Sequence, residues 1–200
     1  MTAPFAYPTA PHVRRHGPQG YAAYESYRPW LRDEFAFRCV YCLTRETWVR
    51  HKAAHAIDHF QPAAVRPELH VAYENLIYAC ITCNAIKGNQ DIPDPLTVLL
   101  ADAVRVGPDG TIQANTEDAA RLIELLDLDN ERTAEFREMW QDIIRLAGRY
   151  RPELYRKLMG FPDDLPDLSK LRPPSGNSRP DGVRQSYFRR RQSGHLPQLC

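Results

Sequence analysis

Apolar positions along this 200-residue chain change their period several times, and each change marks an element. Residues 1–20 hold four prolines and no apolar run, which predicts a flexible N-terminal arm. Aromatics then enter at Tyr24, Tyr27, Trp30 and Phe35. Pro29 stands where a missing N–H is not needed, so a short helix is expected over 29–35. Residues 38–52 read as a cysteine-bearing turn. The stretch 54–60, AHAIDHF, alternates as a strand does, Pro62 and Pro67 bound a loop, and 75–78 is a second short strand. Ile81–Lys87 reads as a short helix with Gly88 as its stop.

The second half is mostly helical in period. Residues 96–106 and 111–114, on either side of Pro108-Asp109-Gly110, read as a hairpin. Thr116 caps a helix over 116–126, with Glu117 and Asp118 in its first turn. Over 131–147, Phe136, Met139, Trp140, Ile143 and Ile144 recur at three and four, which predicts one core-facing stripe. A last short helix is expected over 152–159. Arg, Pro, Gly and Ser dominate 172–200 and predict a weakly ordered basic tail. Within it, Pro180, Gly194 and the four-residue spacing of Val183 and Tyr187 allow a short helix over 181–192.

Composition changes this picture in two ways. The apolar share, 43%, is enough for a core, so a wholly disordered chain is excluded. Charge is balanced overall, 26 Lys+Arg against 25 Asp+Glu, but not along the chain. Residues 1–89 are net +3, residues 90–171 net −7 and residues 172–200 net +5, so segment-specific roles are expected rather than a uniformly basic surface. The basic tail could neutralise DNA phosphates or pair with the acidic stretch before it. The longest apolar stretch, around 76–86, falls short of the roughly 20 residues of a membrane span. With no leader-like segment at the start, the expectation is a cytoplasmic protein with no membrane partner.

Four of the five cysteines form two Cys-x-x-Cys pairs, Cys39/Cys42 and Cys80/Cys83, while Cys200 is last in the chain. Each pair sets two thiolates about one turn apart, and two pairs close a tetrahedral Zn²⁺ site with no position left for substrate. The expected zinc is therefore structural, and function should lie in the spacer that it clamps. That spacer carries Asp58-His59 on the first strand and Asn75 at the second, and Asn84 follows the last cysteine. Asp58 and Asn84 offer hard oxygens suited to Mg²⁺ or another divalent ion such as Mn²⁺. His59 is a base near neutral pH. Lys87, one turn after Asn84, could hold a phosphate or the Asp58 carboxylate. Arg38, Arg45, Arg50 and Lys52 could contact phosphates or form an ordinary solvated turn. His55 is expected as an exposed strand residue, His51 and His70 in loops, and His12, His16 and His195 in the arms.

The order of these residues, in FRCVYC (37–42), IDHFQP (57–62) and YENLIYACITCNAIKG (73–88), resembles the HNH endonuclease family, the zinc-braced ββα-metal nucleases. The remainder resembles small standalone bacterial members more loosely. The resemblance implies an α+β fold: a ββα-metal finger braced by a Cys₄ zinc site, followed by a hairpin and a helical C-terminal part. It implies His59 as general base, Asp58 and Asn84 as ligands of the catalytic ion, and Asn75 as the residue that holds the loop and the histidine. It also implies cleavage of DNA, expected to be double-stranded, leaving a 5′-phosphate and a 3′-hydroxyl. The corresponding organisation is an arm (1–20), a nuclease core (21–95), a hairpin with helical extension (96–171) and a basic tail (172–200). A different class of function, a non-catalytic zinc module that binds nucleic acid or protein, would have no need of Asp58, His59 and Asn84. A thiol redox protein would need a reactive cysteine in place of a closed metal site.

Overall fold

The computed structural model describes residues 3–199, the Lys52 side chain excepted; Cys200 and its thiol lie outside the described residues. In chain order the helices and strands are α1 (Arg28–Glu34), β1 (His55–His59), β2 (Leu76–Cys80), α2 (Ile81–Lys87), α3 (Pro95–Val98), β3 (Val104–Val106) and β4 (Ile112–Ala114). Then follow α4 (Glu117–Leu125), α5 (Glu131–Tyr150), α6 (Pro152–Met159), α7 (Pro180–Arg184) and α8 (Tyr187–Gln192). The fold is mixed α and β, with two separate two-stranded antiparallel sheets.

The first sheet holds the centre. β1 and β2 pair so that His55 lies opposite Cys80 and His59 opposite Leu76. β2 is buried along its whole length because α1 and α2 both pack on it. Trp30 and Leu31 of α1 join Leu76, Ile77 and Tyr78 in a shared apolar core. The helix α2 begins directly at the end of β2 and stops at Gly88, whose φ of +50° is a left-handed conformation that favours glycine.

The C-terminal part is built by caps. Thr116 accepts the Ala119 N–H at the start of α4, and Asn130 accepts the Thr133 N–H at the start of α5. Three expectations are corrected here. The strand expected from residue 96 starts only at 104: Asp94 accepts the Leu96 N–H and Pro95 follows it, which turns 95–98 into helix α3. The helix expected over 181–192 is two helices, because Ser186 is buried and caps α8 by accepting the Arg189 N–H. The stripe on α5 splits. Ile144, Ala147 and Arg137 are buried, and Trp140 stacks on Trp48 at 4.5 Å, but Phe136 and Met139 face solvent.

The segments 3–20 and 172–199 are also packed rather than loose. The acidic pair Asp33-Glu34 closes α1, at the end of a helix where negative charge is disfavoured. Both carboxylates are buried, and each needs donors. Glu34 accepts from His12 (2.9 Å), from the backbone N–H groups of Arg15 (2.8 Å) and His16 (3.0 Å), and from the Tyr73 hydroxyl (3.0 Å). Asp33 binds the fully buried His16 at 2.8 Å and accepts the Tyr187 N–H at 2.8 Å. Pro18 and Asn177 form a bridge between the two ends, and Arg179 reaches Glu74 at 2.6 Å. Phe5 and Tyr7 are buried, and the Tyr7 hydroxyl donates to the Tyr41 carbonyl at 2.7 Å. The prolines of residues 1–20 therefore shape an extended strap around α1, and the 172–200 segment docks through Tyr187, which packs on Phe161 and Phe37.

Two outcomes follow. Truncation after Leu171 removes the Tyr187 N–H from Asp33 and the cover of Gly182 and Arg179 from His16. It should lower the melting temperature by at least about 5 °C, since each kcal/mol lost shifts a chain of this size by about 2–4 °C. An unchanged melting curve would contradict the docking. The second concerns pH. Burial raises the Glu34 carboxyl pKa, but the hydrogen bonds from His12 and the Arg15 backbone outweigh it and hold it at about 2, below its usual 4.5. A depressed carboxylate stabilises the fold above pH 4.5, and that stability is lost as pH falls towards 2. Glu34→Gln should cost about 3 kcal/mol near neutrality. In urea unfolding, the gap between the variant and the parent should narrow below pH 4.5.

Candidate active site

Two cysteine knuckles meet at the hairpin end. In the first, Cys39 donates its N–H to the Thr44 carbonyl (2.9 Å) and accepts from Leu43 (3.0 Å), with Leu43 in the left-handed region at φ +61°. In the second, Cys80 ends β2 and its sulfur accepts the Cys83 N–H at 3.4 Å in the first turn of α2. The four Sγ atoms all lie within 4.8 Å of one another, and Cys42 and Cys80 are 3.7 Å apart. A tetrahedron of Zn–S bonds of about 2.3 Å has edges of about 3.8 Å, so the cluster fits a four-coordinate zinc. Burial and its thiol neighbours push the Cys39 thiol up. Hydrogen bonds from Cys39, Cys80 and Cys83 pull the Cys42 thiol down. A divalent cation compensates the further negative charge that full ionisation brings.

The knuckle reaches directly into the hairpin. Tyr41, between the first two cysteines, donates its hydroxyl to Asp58 Oδ2 at 2.6 Å. Lys87 Nζ lies 3.1 Å from Asp58 Oδ1 and donates to the His59 carbonyl at 2.7 Å. Tyr41 and Lys87 are fully buried, and Asp58 is only 3% exposed. Lys87 is thus a partner of Asp58 and does not meet a phosphate. Arg45 is likewise corrected: it is buried, with its guanidinium over the Trp48 ring, and is not presented to solvent. Arg38 is half-buried and Arg50 exposed. His55 is buried rather than exposed, stacked on Tyr78 and bonded to the Thr44 carbonyl at 3.1 Å, because its side of β1 faces the core.

His59 is half-buried, one residue along β1 from Asp58. Its Nε2 lies 2.9 Å from the His70 carbonyl. A carbonyl only accepts, so Nε2 carries the proton and Nδ1 keeps the lone pair. The ring stacks on His70 at 4.8 Å and meets the edge of Tyr24 at 4.8 Å. Burial lowers its pKa below the usual 6.5, so the neutral base is favoured. Asn75 is buried and clamps the intervening loop. Its amide accepts the Gln61 N–H (2.8 Å) and donates to the carbonyls of Gln61 (2.9 Å) and Leu69 (3.4 Å). Its own carbonyl accepts the Phe60 N–H, so it fixes the chain just after His59 and, through Leu69, the loop next to His70. Asn84 is half-buried on α2, one turn before Lys87.

Tyr41, which bonds Asp58, and Tyr24 and His70, which pack on His59, are neighbours that residue spacing did not single out. Tyr41 stands inside CVYC, which was the available signal; Tyr24 and His70 reach His59 only through tertiary packing. The oxygen donors Asp58 and Asn84 suit a hard divalent ion that keeps several waters. Each Asp58 oxygen already holds one hydrogen bond and retains a second lone pair, so such an ion would share the carboxylate with Lys87 and Tyr41.

Residues 39–90 match the family model of the HNH endonucleases, a match that spans both knuckles, the hairpin and α2. A search of curated proteins returned no match to the chain. The family match supports a nuclease-type function that acts on nucleic acid and uses a divalent metal. Among the described residues, no helix is long and apolar enough to cross a membrane.

The purified chain should carry one zinc ion. Cys80→Ser should lose it and unfold the hairpin region, because structural zinc contributes on the order of 10–16 kcal/mol of apparent binding energy. Elemental analysis together with circular dichroism decides this: a zinc-free protein that stays folded would refute a bracing role.

Proposed function

We propose that this chain is a metal-dependent HNH endonuclease that hydrolyses phosphodiester bonds in DNA. His59 is the general base, Asp58 and Asn84 hold one Mg²⁺-type ion, and the Cys₄ cluster binds structural zinc. The observation that supports this most is the fixed tautomer of His59. With Nε2 bonded to the His70 carbonyl and the ring gripped by His70 and Tyr24, Nδ1 is the free proton acceptor on a neutral imidazole.

In this reading Nδ1 takes a proton from water as the oxygen of that water attacks phosphorus. The P–O bond to the 3′-oxygen breaks, leaving a 5′-phosphate and a 3′-hydroxyl once that oxygen is protonated. An ion held by Asp58 and Asn84 would supply charge neutralisation for this step. Lys87 and Tyr41 act as positioning residues: they orient Asp58 and lower the cost of a buried carboxylate. Asn75 keeps the loop in register with His59. Arg38 keeps enough exposure to meet a phosphate and is the basic residue of the region to test first.

One observation favours a second reading. Both Asp58 oxygens are engaged and the carboxylate is almost fully covered, as a purely structural aspartate would be. That would suit a zinc-braced module which binds nucleic acid without cutting it. Plasmid nicking separates the two. The parent should nick supercoiled DNA when Mg²⁺ or Mn²⁺ is added and remain inactive without it. His59→Ala should reduce the rate by about 10²–10⁴-fold with zinc content and DNA binding retained. Asn84→Ala should instead raise the Mg²⁺ concentration needed. DNA binding by the parent with no metal-dependent nicking would favour the binding module.

A further inference from the structure

The 20-residue helix α5 carries two apolar stripes, and the fold uses one. Arg137, Ile144 and Ala147 face inward, and Trp140 stacks on Trp48. The other stripe is Phe136, Met139, Ile143, Leu146 and Tyr150, spaced three, four, three, four. That is the register of a coiled-coil seam. Phe136 is 36%, Met139 49%, Leu146 53% and Tyr150 62% exposed, and Ile143 is half-buried. Exposed apolar residues scattered singly are ordinary, whereas five in heptad register on one long helix form a contiguous patch.

The charges beside the stripe specify what covers it. In the first half of α5 the exposed Glu131, Glu135 and Glu138 outnumber Arg132. In the second half the exposed Arg145 and Arg149 outnumber Asp142, and Arg151, Arg156 and Lys157 follow with Glu153. A parallel copy would set acid against acid and base against base. An antiparallel copy sets the acidic half of each helix against the basic half of the other, because like flanks meet across an antiparallel seam. We propose that α5 pairs with α5 of a second copy of this chain about a two-fold axis crossing near its middle.

In this register Phe136 and Met139 pack on Leu146 and Ile143 of the second copy, and Glu135 faces the second copy's Arg149. Asp142, near the axis, is already held by Arg145 of its own helix at 2.7 Å. The stripe runs into a cavity of about 360 Å³ lined in part by Ile81, Ile86, Leu128, Arg132 and Phe136. The antiparallel register brings Tyr150 of the second copy to Arg132 and Phe136, where an apolar ring with a polar edge fits. Every contact is then made twice by the same patch, which closes the assembly at two chains.

Sedimentation equilibrium on the full chain tests this independently of any cleavage assay. The parent should have twice the monomer mass, with a single dimer dissociation constant. Met139→Glu with Leu146→Glu should give a monomer with unchanged circular dichroism and zinc content. Glu135 and Arg149 are exposed in the monomer, Arg149 with its guanidinium over its own Tyr150 ring at 5.2 Å, and Glu135→Arg and Arg149→Glu should each weaken the dimer by about tenfold, roughly 1.4 kcal/mol. Combining the two should restore parental affinity, which only the antiparallel register does. A parent that stays monomeric at every concentration, a polydisperse series of larger species, or no rescue in the combined variant would overturn the proposal.

Discussion

Four sulfur atoms decide where everything else in the site can be. Cys39 and Cys42 come from the turn after α1, and Cys80 and Cys83 from the junction of β2 and α2, so one cluster ties three segments. The hairpin has only five residues per strand, too little on its own to hold a fixed geometry in water. The cluster supplies what the hairpin lacks, and Tyr41 carries its position on to Asp58 within the same knuckle. The residues proposed to do the chemistry are thus positioned by a group that takes no part in it.

The second organising element is the charged end of α1. Asp33 and Glu34 are buried at the helix C-terminus, where they are unfavourable without cationic and hydrogen-bond donors. His12, Arg15 and His16 from one end of the chain and the Tyr187 N–H from the other meet that demand. Arg32, one residue earlier, forms a paired bond to Glu46, which also accepts the Tyr78 hydroxyl. Polar pairs therefore link α1 to the knuckle turn, the hairpin and both ends of the chain.

What could be read in the sequence was what depends on neighbours in the chain. The Cys-x-x-Cys pairs, the alternation of AHAIDHF, the stop at Gly88 and the cap at Thr116 are local signals, and the structure forms the corresponding elements. Lys87 could be narrowed only to two partners, since the choice between them needed the distance from α2 to β1. The burial of Arg45 and His55 and the packing of the Pro-rich strap depend on residues far away in the chain. Composition misleads there: prolines and charges usually mark a loose segment, but a strap without secondary structure can satisfy its backbone on a partner. On α5, periodicity found apolar residues correctly but could not tell the covered stripe from the bare one, because both recur at three and four.

The pairing of the chain's two ends has a consequence for the order of events during synthesis. Gly17 bonds to Asn177, 160 positions later, and Gly182 fits against the Arg15 carbonyl so closely that a methyl group there would collide with it. The strap emerges from the ribosome well before its counterpart, 160 residues later, exists. Until then His16 and Asp33 lack part of their cover, and a long loop remains to be closed. The zinc hairpin needs only residues up to Cys83 and can assemble well before that. The chain is therefore expected to mature from the metal centre outward, with the strap and the segment around residues 177–187 joining in the final step.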